Sequence, residues 1–190
     1  DRFYCSRDHL ESLDAQGWIG FAAWRVSPNQ DVRPEGVGID LAVIHHISLP
    51  PSGFIDRSST QFIVDFFQNK LDSSLHPYFE EIADQKVSSH FLISRSGELY
   101  QFVSTQKKAW HAGASSFLGR EKCNDFSIGI ELEGADDVDF EEVQYQQLAE
   151  ITRCLMQAYP GITPKTIVGH SDIAPGRKTD PGPHFDWSRY

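Results

Sequence analysis

The chain has 190 residues, the size of one domain or one domain with a short extension. A hydrophobic fraction of 39% with 14 glycines lies in the ordinary globular range, at a length that buries a sizeable core. Lys and Arg number 17 against 27 Asp and Glu, and the resulting net charge of −10 repels polyanions, which argues against a nucleic-acid scaffold. Three cysteines, Cys5, Cys123 and Cys154, are odd in number and far apart, so neither a disulfide framework nor a Cys-rich zinc knuckle is expected. Free thiols suit a reducing compartment. The first apolar stretch, residues 18–24, is far shorter than the roughly 20 residues that cross a bilayer. The expectation is therefore a cytoplasmic protein without a membrane or nucleic-acid partner, and with no heptads to suggest more than a monomer.

In chain order, residues 28–38 are rich in Pro and Gly and read as a loop. Residues 41–44 form a short apolar run, a buried strand that delivers His45 and His46 at its end. Residues 59–71 place Phe62, Ile63, Phe66 and Phe67 on one face of a helix, and a short helix spans 76–83 with Pro77 at its start. Two strands, 87–94 and 98–103, flank Arg95, Ser96 and Gly97 as a hairpin, with Gly97 supplying the positive φ of the turn. Residues 126–133 alternate strictly. Phe126, Ile128, Ile130 and Leu132 belong to one face, and Ser127, Gly129, Glu131 and Glu133 to the other. Asp139 and Glu142 read as a capping box for a helix whose core positions are Leu148, Ile151 and Leu155, ended by Pro160 and Gly161. A last strand, 166–169, ends at His170, and a Pro/Gly-rich loop fills 175–183. Interleaved helices and strands give an α/β fold, a single domain with a central mixed sheet flanked by helices; residues 1–17 form an N-terminal extension to a domain over 18–190.

Position singles out His45 and His170 among the eight histidines, since each follows an apolar strand where α/β proteins place ligands. Asp180 comes ten residues after His170. Two imidazoles and one carboxylate can hold Zn²⁺ with a fourth position open to water, although 125 residues separate the histidines and no H-E-x-x-H helix is present. Glu131 and Glu133 share a strand face, and either is a candidate base. Two carboxylates two apart on one strand cannot flank a bond from opposite sides, so a glycosidase pair is rejected. Lys178 can reach the side of Asp180 and donate to a developing oxyanion. Trp110 and His111 set an aromatic plane beside a polar ring, and Arg120, Lys122 and Arg177 are basic points in an acidic chain that suit a substrate carboxylate.

Four blocks carry a resemblance: VIHHISLPP at 43–51, KAWHAG at 108–113, CNDFSIGIELEG at 123–134 and GHSDIAPGRKTDPGP at 169–183. In this order they strongly resemble the type 2 zinc amidases, which are related to the peptidoglycan recognition proteins, and specifically the branch that acts on anhydromuropeptides. The resemblance implies Zn²⁺ on His45, His170 and Asp180, Glu131 rather than Glu133 as the residue that activates water, and Lys178 as the oxyanion stabiliser. It implies hydrolysis of the amide between the lactyl group of 1,6-anhydro-N-acetylmuramic acid and L-Ala of the stem peptide, in cell-wall recycling. Trp110, His111, Asn124, Arg120, Lys122 and His46 are the expected substrate contacts. His46 stands where the family pattern has Asn, Lys86 and Lys122 where it has Arg, and Ser171 where it has Cys. Rival readings are a secreted amidase acting on polymeric wall and a non-catalytic peptidoglycan-binding module.

Overall fold

Burial falls on every residue of Ser127–Glu133 and on the first five of Leu41–Ile47, and these two segments form the centre of the sheet. The computed structural model describes residues 13–51, 53 and 57–190; Cys5 and the first 12 residues of the expected extension lie outside the described residues. The main sheet contains β1 (Ala23–Trp24), β3 (Leu41–Ile47), β4 (Phe91–Ile93), β5 (Leu99–Gln101), β9 (Ser127–Glu133) and β10 (Ile167–Gly169), in the order β1-β5-β4-β9-β3-β10. Strands β4, β9, β3 and β10 are parallel; β5 runs antiparallel to β4, with β1 parallel to β5. The sheet is mixed, as the sequence implies. Two small antiparallel pairs, β2 (Gln30–Val32) with β6 (Lys107–Ala109) and β7 (Ser116–Phe117) with β8 (Arg120–Glu121), extend the strand content.

Helices cover both faces. On one side α3 (Glu142–Ala158) buries Leu148, Ile151 and Leu155 against Ile44, Ile128, Ile130 and Leu132. On the other, α1 (Arg57–Phe67) and α2 (Pro77–Ile82) bury Ile63, Phe67, Phe79 and Ile82 with Leu92 and Phe102. A third cluster, Leu41, Val43, Ala112, Cys123, Phe126 and Ile173, lies under the one-turn helix α4 (His170–Ile173). Fully burying each such side chain contributes about 1.5–3 kcal/mol. Cys123 and Cys154 are both buried. No helix among the described residues is long and apolar enough to cross a membrane.

Several local expectations need correction. The strand expected at 41–44 continues to Ile47, because β9 pairs with it along its whole length; His45 and His46 therefore lie within the strand. Phe126 does not share the face of Ile128. Its backbone (φ −128°, ψ 13°) has not entered the strand, and its ring joins the third cluster. The hairpin strands are shorter than expected, since at Ser88 the chain bonds the 110 segment instead, Ser88 N–H donating to Trp110 O. Gly97 does occupy the turn at φ +84°. The α3 start is closed by Gln144, whose Oε1 accepts from Glu141 N–H at 3.0 Å, rather than by an Asp139–Glu142 box. Helix α1 stops at Phe67, and Asn69 then takes a left-handed φ of 59°. Residues 28–38 are not all loop, since they hold β2.

His90 is fully buried at the end of β4 and holds three segments together. Its Nδ1 accepts from Gly129 N–H at 3.1 Å, so the proton sits on Nε2, which donates to Lys107 O at 2.8 Å. Burial first, and then the Arg33 guanidinium, depress its pKa from 6.5 to about 3. Between those values the unfolded chain binds a proton at residue 90 that the folded chain refuses, so stability falls as pH drops through this window. Urea unfolding from pH 6.5 to 5 is expected to show this loss, and His90→Gln should flatten the slope by up to about 1.4 kcal/mol per pH unit while lowering stability at pH 7.

Candidate metal centre

The β3–β9 register sets His45 directly opposite Glu131, and the β3–β10 register sets Gly169 opposite Ile44. His170, the first residue after β10, therefore arrives beside His45. The loop that follows is closed by Ser171 N–H donating to Asp180 O at 3.0 Å, which returns Asp180 to the same point. His45 Nδ1 lies 3.0 Å from His170 Nδ1 and 3.0 Å from Asp180 Oδ2, and His170 Nδ1 lies 3.2 Å from Asp180 Oδ2. All three residues are buried, with relative exposures of 1%, 5% and 9%. Donor atoms about 2.0–2.1 Å from one tetrahedral ion stand roughly 3.3 Å apart, so this cage needs to relax by only a few tenths of an ångström to hold one. Among the described residues it is the one group of His, Cys, Asp and Glu side chains whose donor atoms converge in this way. Nitrogen and carboxylate donors of this kind suit a first-row divalent ion.

The distal ring nitrogens fix which atoms face the centre. His170 Nε2 lies 3.0 Å from Ala112 O, which can only accept, so His170 carries its proton there and turns the Nδ1 lone pair inward. His45 Nε2 lies 2.8 Å from His111 Nδ1, and His111 Nε2 lies 3.0 Å from Ser127 Oγ. Burial lowers the pKa of His45 and lowers that of His111 well below 6.5, His111 being further depressed by His45 beside it. Burial by itself would raise Asp180, but the close approach of the His170 and His45 rings outweighs it and holds the carboxylate below its ordinary range.

Glu131 behaves in the opposite way. Burial, reinforced by the Asp180 charge and only partly offset by Lys178, raises its pKa well above the usual carboxylate value. Its Oε1 stands 4.0 Å from His45 Nδ1, while Oε2 is buried with no hydrogen-bond partner. Glu133 has no such freedom, because Ser59 Oγ and Thr60 Oγ1 donate to its two oxygens at 2.7 and 2.6 Å and tie β9 to α1.

A cleft of about 420 Å³ opens on the centre. Glu131, Lys178, His46 and Trp110 line it, and Phe66, Tyr78, Ile82 and Gln85 carry its wall toward α1 and α2. His46 Nε2 pairs with Asp136 Oδ1 at 2.6 Å, and Thr179 Oγ1 donates to the other Asp136 oxygen at 2.7 Å. Asn124 stands behind the cleft wall, its Oδ1 accepting from His111 N–H and Ala112 N–H. The structure does not bring Arg120 or Lys122 to the cleft lining; Arg120 pairs with Asp40 at 2.8 Å and lies over the Phe126 ring. Arg177, a member of the same basic set, clamps the 112–114 loop through the carbonyls of Ala112 and Ala114. Sequence reading overlooked Ser127, Tyr78, Gln85, Asp136 and Thr179, none of which stands out without the register that gathers them.

A family model described as N-acetylmuramoyl-L-alanine amidase matches residues 35–183. The chain is 54% identical over 164 residues to the 1,6-anhydro-N-acetylmuramyl-L-alanine amidase AmpD of Haemophilus influenzae, a match that covers 86% of this chain and 87% of that protein. The crystal structure of a selenomethionine AmpD derivative is similar with a TM-score of 0.88 at 50% identity, covering 93% of this chain and 96% of that one. A complex of the Escherichia coli amidase AmiD with the substrate anhydro-N-acetylmuramic acid-L-Ala-D-γ-Glu-L-Lys is similar with a TM-score of 0.59 at 31% identity, over 83% of this chain and 58% of that one.

Removing one donor should empty the cage. Asp180→Ala is expected to purify with less than a tenth of the wild-type metal by elemental analysis, while the unchanged far-ultraviolet circular dichroism reports an intact sheet.

Proposed function

The chain belongs to the N-acetylmuramoyl-L-alanine amidase family, and on that premise we propose that it is a zinc-dependent hydrolase of anhydromuropeptides. It cleaves the amide between the lactyl group of 1,6-anhydro-N-acetylmuramic acid and L-Ala of the stem peptide, a step of peptidoglycan recycling. The observation that carries this reading is the pairing of a buried, protonatable Glu131 with a cage of two imidazoles and a carboxylate at the floor of one cleft.

His45, His170 and Asp180 would hold the Zn²⁺, which when bound would supply Lewis-acid activation of water and carbonyl. The remaining work falls to side chains. Glu131 accepts the proton of the attacking water, and its raised proton affinity makes it a competent carrier. Having taken that proton, it delivers it to the departing L-Ala nitrogen. Lys178, on the cleft lining, donates to the lactyl oxygen as negative charge builds there. Trp110 offers a face for the sugar or peptide, with its indole Nε1–H donating to Asp31 at 2.9 Å. His46 contributes a polar edge to the lining, held in place by Asp136. Asn124 acts from behind by fixing the His111 and Ala112 backbone. The buried free thiol of Cys123 supports a cytoplasmic site of action.

Glu131→Gln keeps the shape of the site and removes the base. Turnover of anhydro-N-acetylmuramyl-tripeptide, followed by mass spectrometry of released peptide, should fall by about 10²–10⁴-fold with the metal retained. A rate within tenfold of wild type removes Glu131 from the mechanism. Comparing anhydromuropeptide with intact sacculi as substrate separates this reading from an enzyme of polymeric wall.

A further inference from the structure

The outward-facing nitrogen of His45 meets another histidine rather than a carbonyl or carboxylate. His111 presents Nδ1 to His45 Nε2 at 2.8 Å, with the two rings edge to face at 88° and centroids 5.0 Å apart. One of these nitrogens donates and the other accepts. For His45 to offer its Nδ1 lone pair to a metal, its proton must sit on Nε2, and His111 Nδ1 must accept it. That in turn requires the His111 proton on Nε2, where Ser127 Oγ stands at 3.0 Å to receive it. The chain of hydrogen bonds thus runs in one direction, from His45 through His111 to Ser127.

The backbone reserves the space for this ring. A Cβ at Gly129 would lie 2.5 Å from His111 Cγ and 2.7 Å from Cδ2, so only glycine lets the imidazole rest on β9. The His111 main-chain N–H is held by Asn124 Oδ1 at 3.1 Å, and His90 flanks the ring with centroids 6.1 Å apart. Ser127, Gly129 and Glu131 follow each other along one face of β9, so a single strand face supplies the acceptor, the gap and the general base.

We propose that His111 is a positioning residue for the metal: with Ser127 and Gly129 it locks His45 in the tautomer and orientation that present Nδ1 to the ion. The proposal rests on the reading of His45 as a ligand. Its substrate is the metal cage, so its effect appears in metal affinity before it appears in turnover.

Zinc affinity of the full chain, measured by competition with a chromophoric chelator, tests it. His111→Phe keeps the packed ring and removes the acceptor, and should weaken zinc binding by about 10–100-fold. His111→Gln, which can accept from His45 and donate to Ser127, should return affinity to within a few-fold of wild type, a rescue that a merely space-filling role does not produce. Gly129→Ala, which alters no polar group, should weaken binding by displacing the ring. In proton NMR, the His45 Nε2 proton should exchange slowly in wild type and His111→Gln, and rapidly in His111→Phe. Should His111→Phe fail to fold, Ser127→Ala leaves both rings in place and should still lower affinity several-fold. Wild-type affinity in a folded His111→Phe, or in Ser127→Ala if that variant must stand in, overturns the proposal. His45→Ala separates the two claims: if it binds zinc as wild type does, the ligand assignment fails, whereas zinc loss there with full affinity in His111→Phe sinks only the positioning role.

Discussion

Parallel pairing of β3 with β9 is the constraint on which the site depends. Seven consecutive pairs fix Leu41 against Ser127, Val43 against Gly129, His45 against Glu131 and Ile47 against Glu133 on one face, while Ala42, Ile44, Ile128, Ile130 and Leu132 fill the core on the other. Because side chains alternate, a slip of one residue would drive the glutamates into the aliphatic core and lift the isoleucines into the cleft. The hydrophobic packing under α3 therefore also sets the distance between His45 and Glu131. Fold stability and the geometry of the candidate site share the same register.

Two carboxylates a few ångströms apart take opposite protonation behaviour from that arrangement. The His170 and His45 rings hold the pKa of Asp180 below the ordinary carboxylate range, whereas burial and the Asp180 charge raise that of Glu131, whose Oε2 has no hydrogen-bond partner. Environments that push two acids apart assign their roles. Glu133, only two residues away, is neutralised as a competitor because two hydroxyls of α1 occupy it.

Alternation made the β9 faces legible in the sequence, and the 3.6-residue period made α1 and α3 legible, since both patterns reflect local backbone geometry. The blocks around His45 and His170 pointed to a shared site, but nothing local joins residues 125 apart; only the family resemblance did so ahead of the structure. What escaped reading was tertiary in origin. Strand β2 lies in a Pro/Gly-rich stretch and exists because β6 pairs with it. Phe126 fell on the wrong face because the strand begins one residue later than its periodicity suggests. Arg120 looked like a free cation in an acidic chain, yet Asp40, 80 residues earlier, claims it. Asn124 was legible as a polar residue of a site, but not as one that stands behind the cleft, and His111 lines the cleft while also bonding His45.

Strand β10 is an edge strand of the main sheet and meets β3 through only three residue pairs. An ion held by His45 on β3, His170 after β10 and Asp180 beyond it would act as a clasp across that seam. The same three pairs are all that cover the hydrogen-bonding edge of β3, which without them would be open to strand addition.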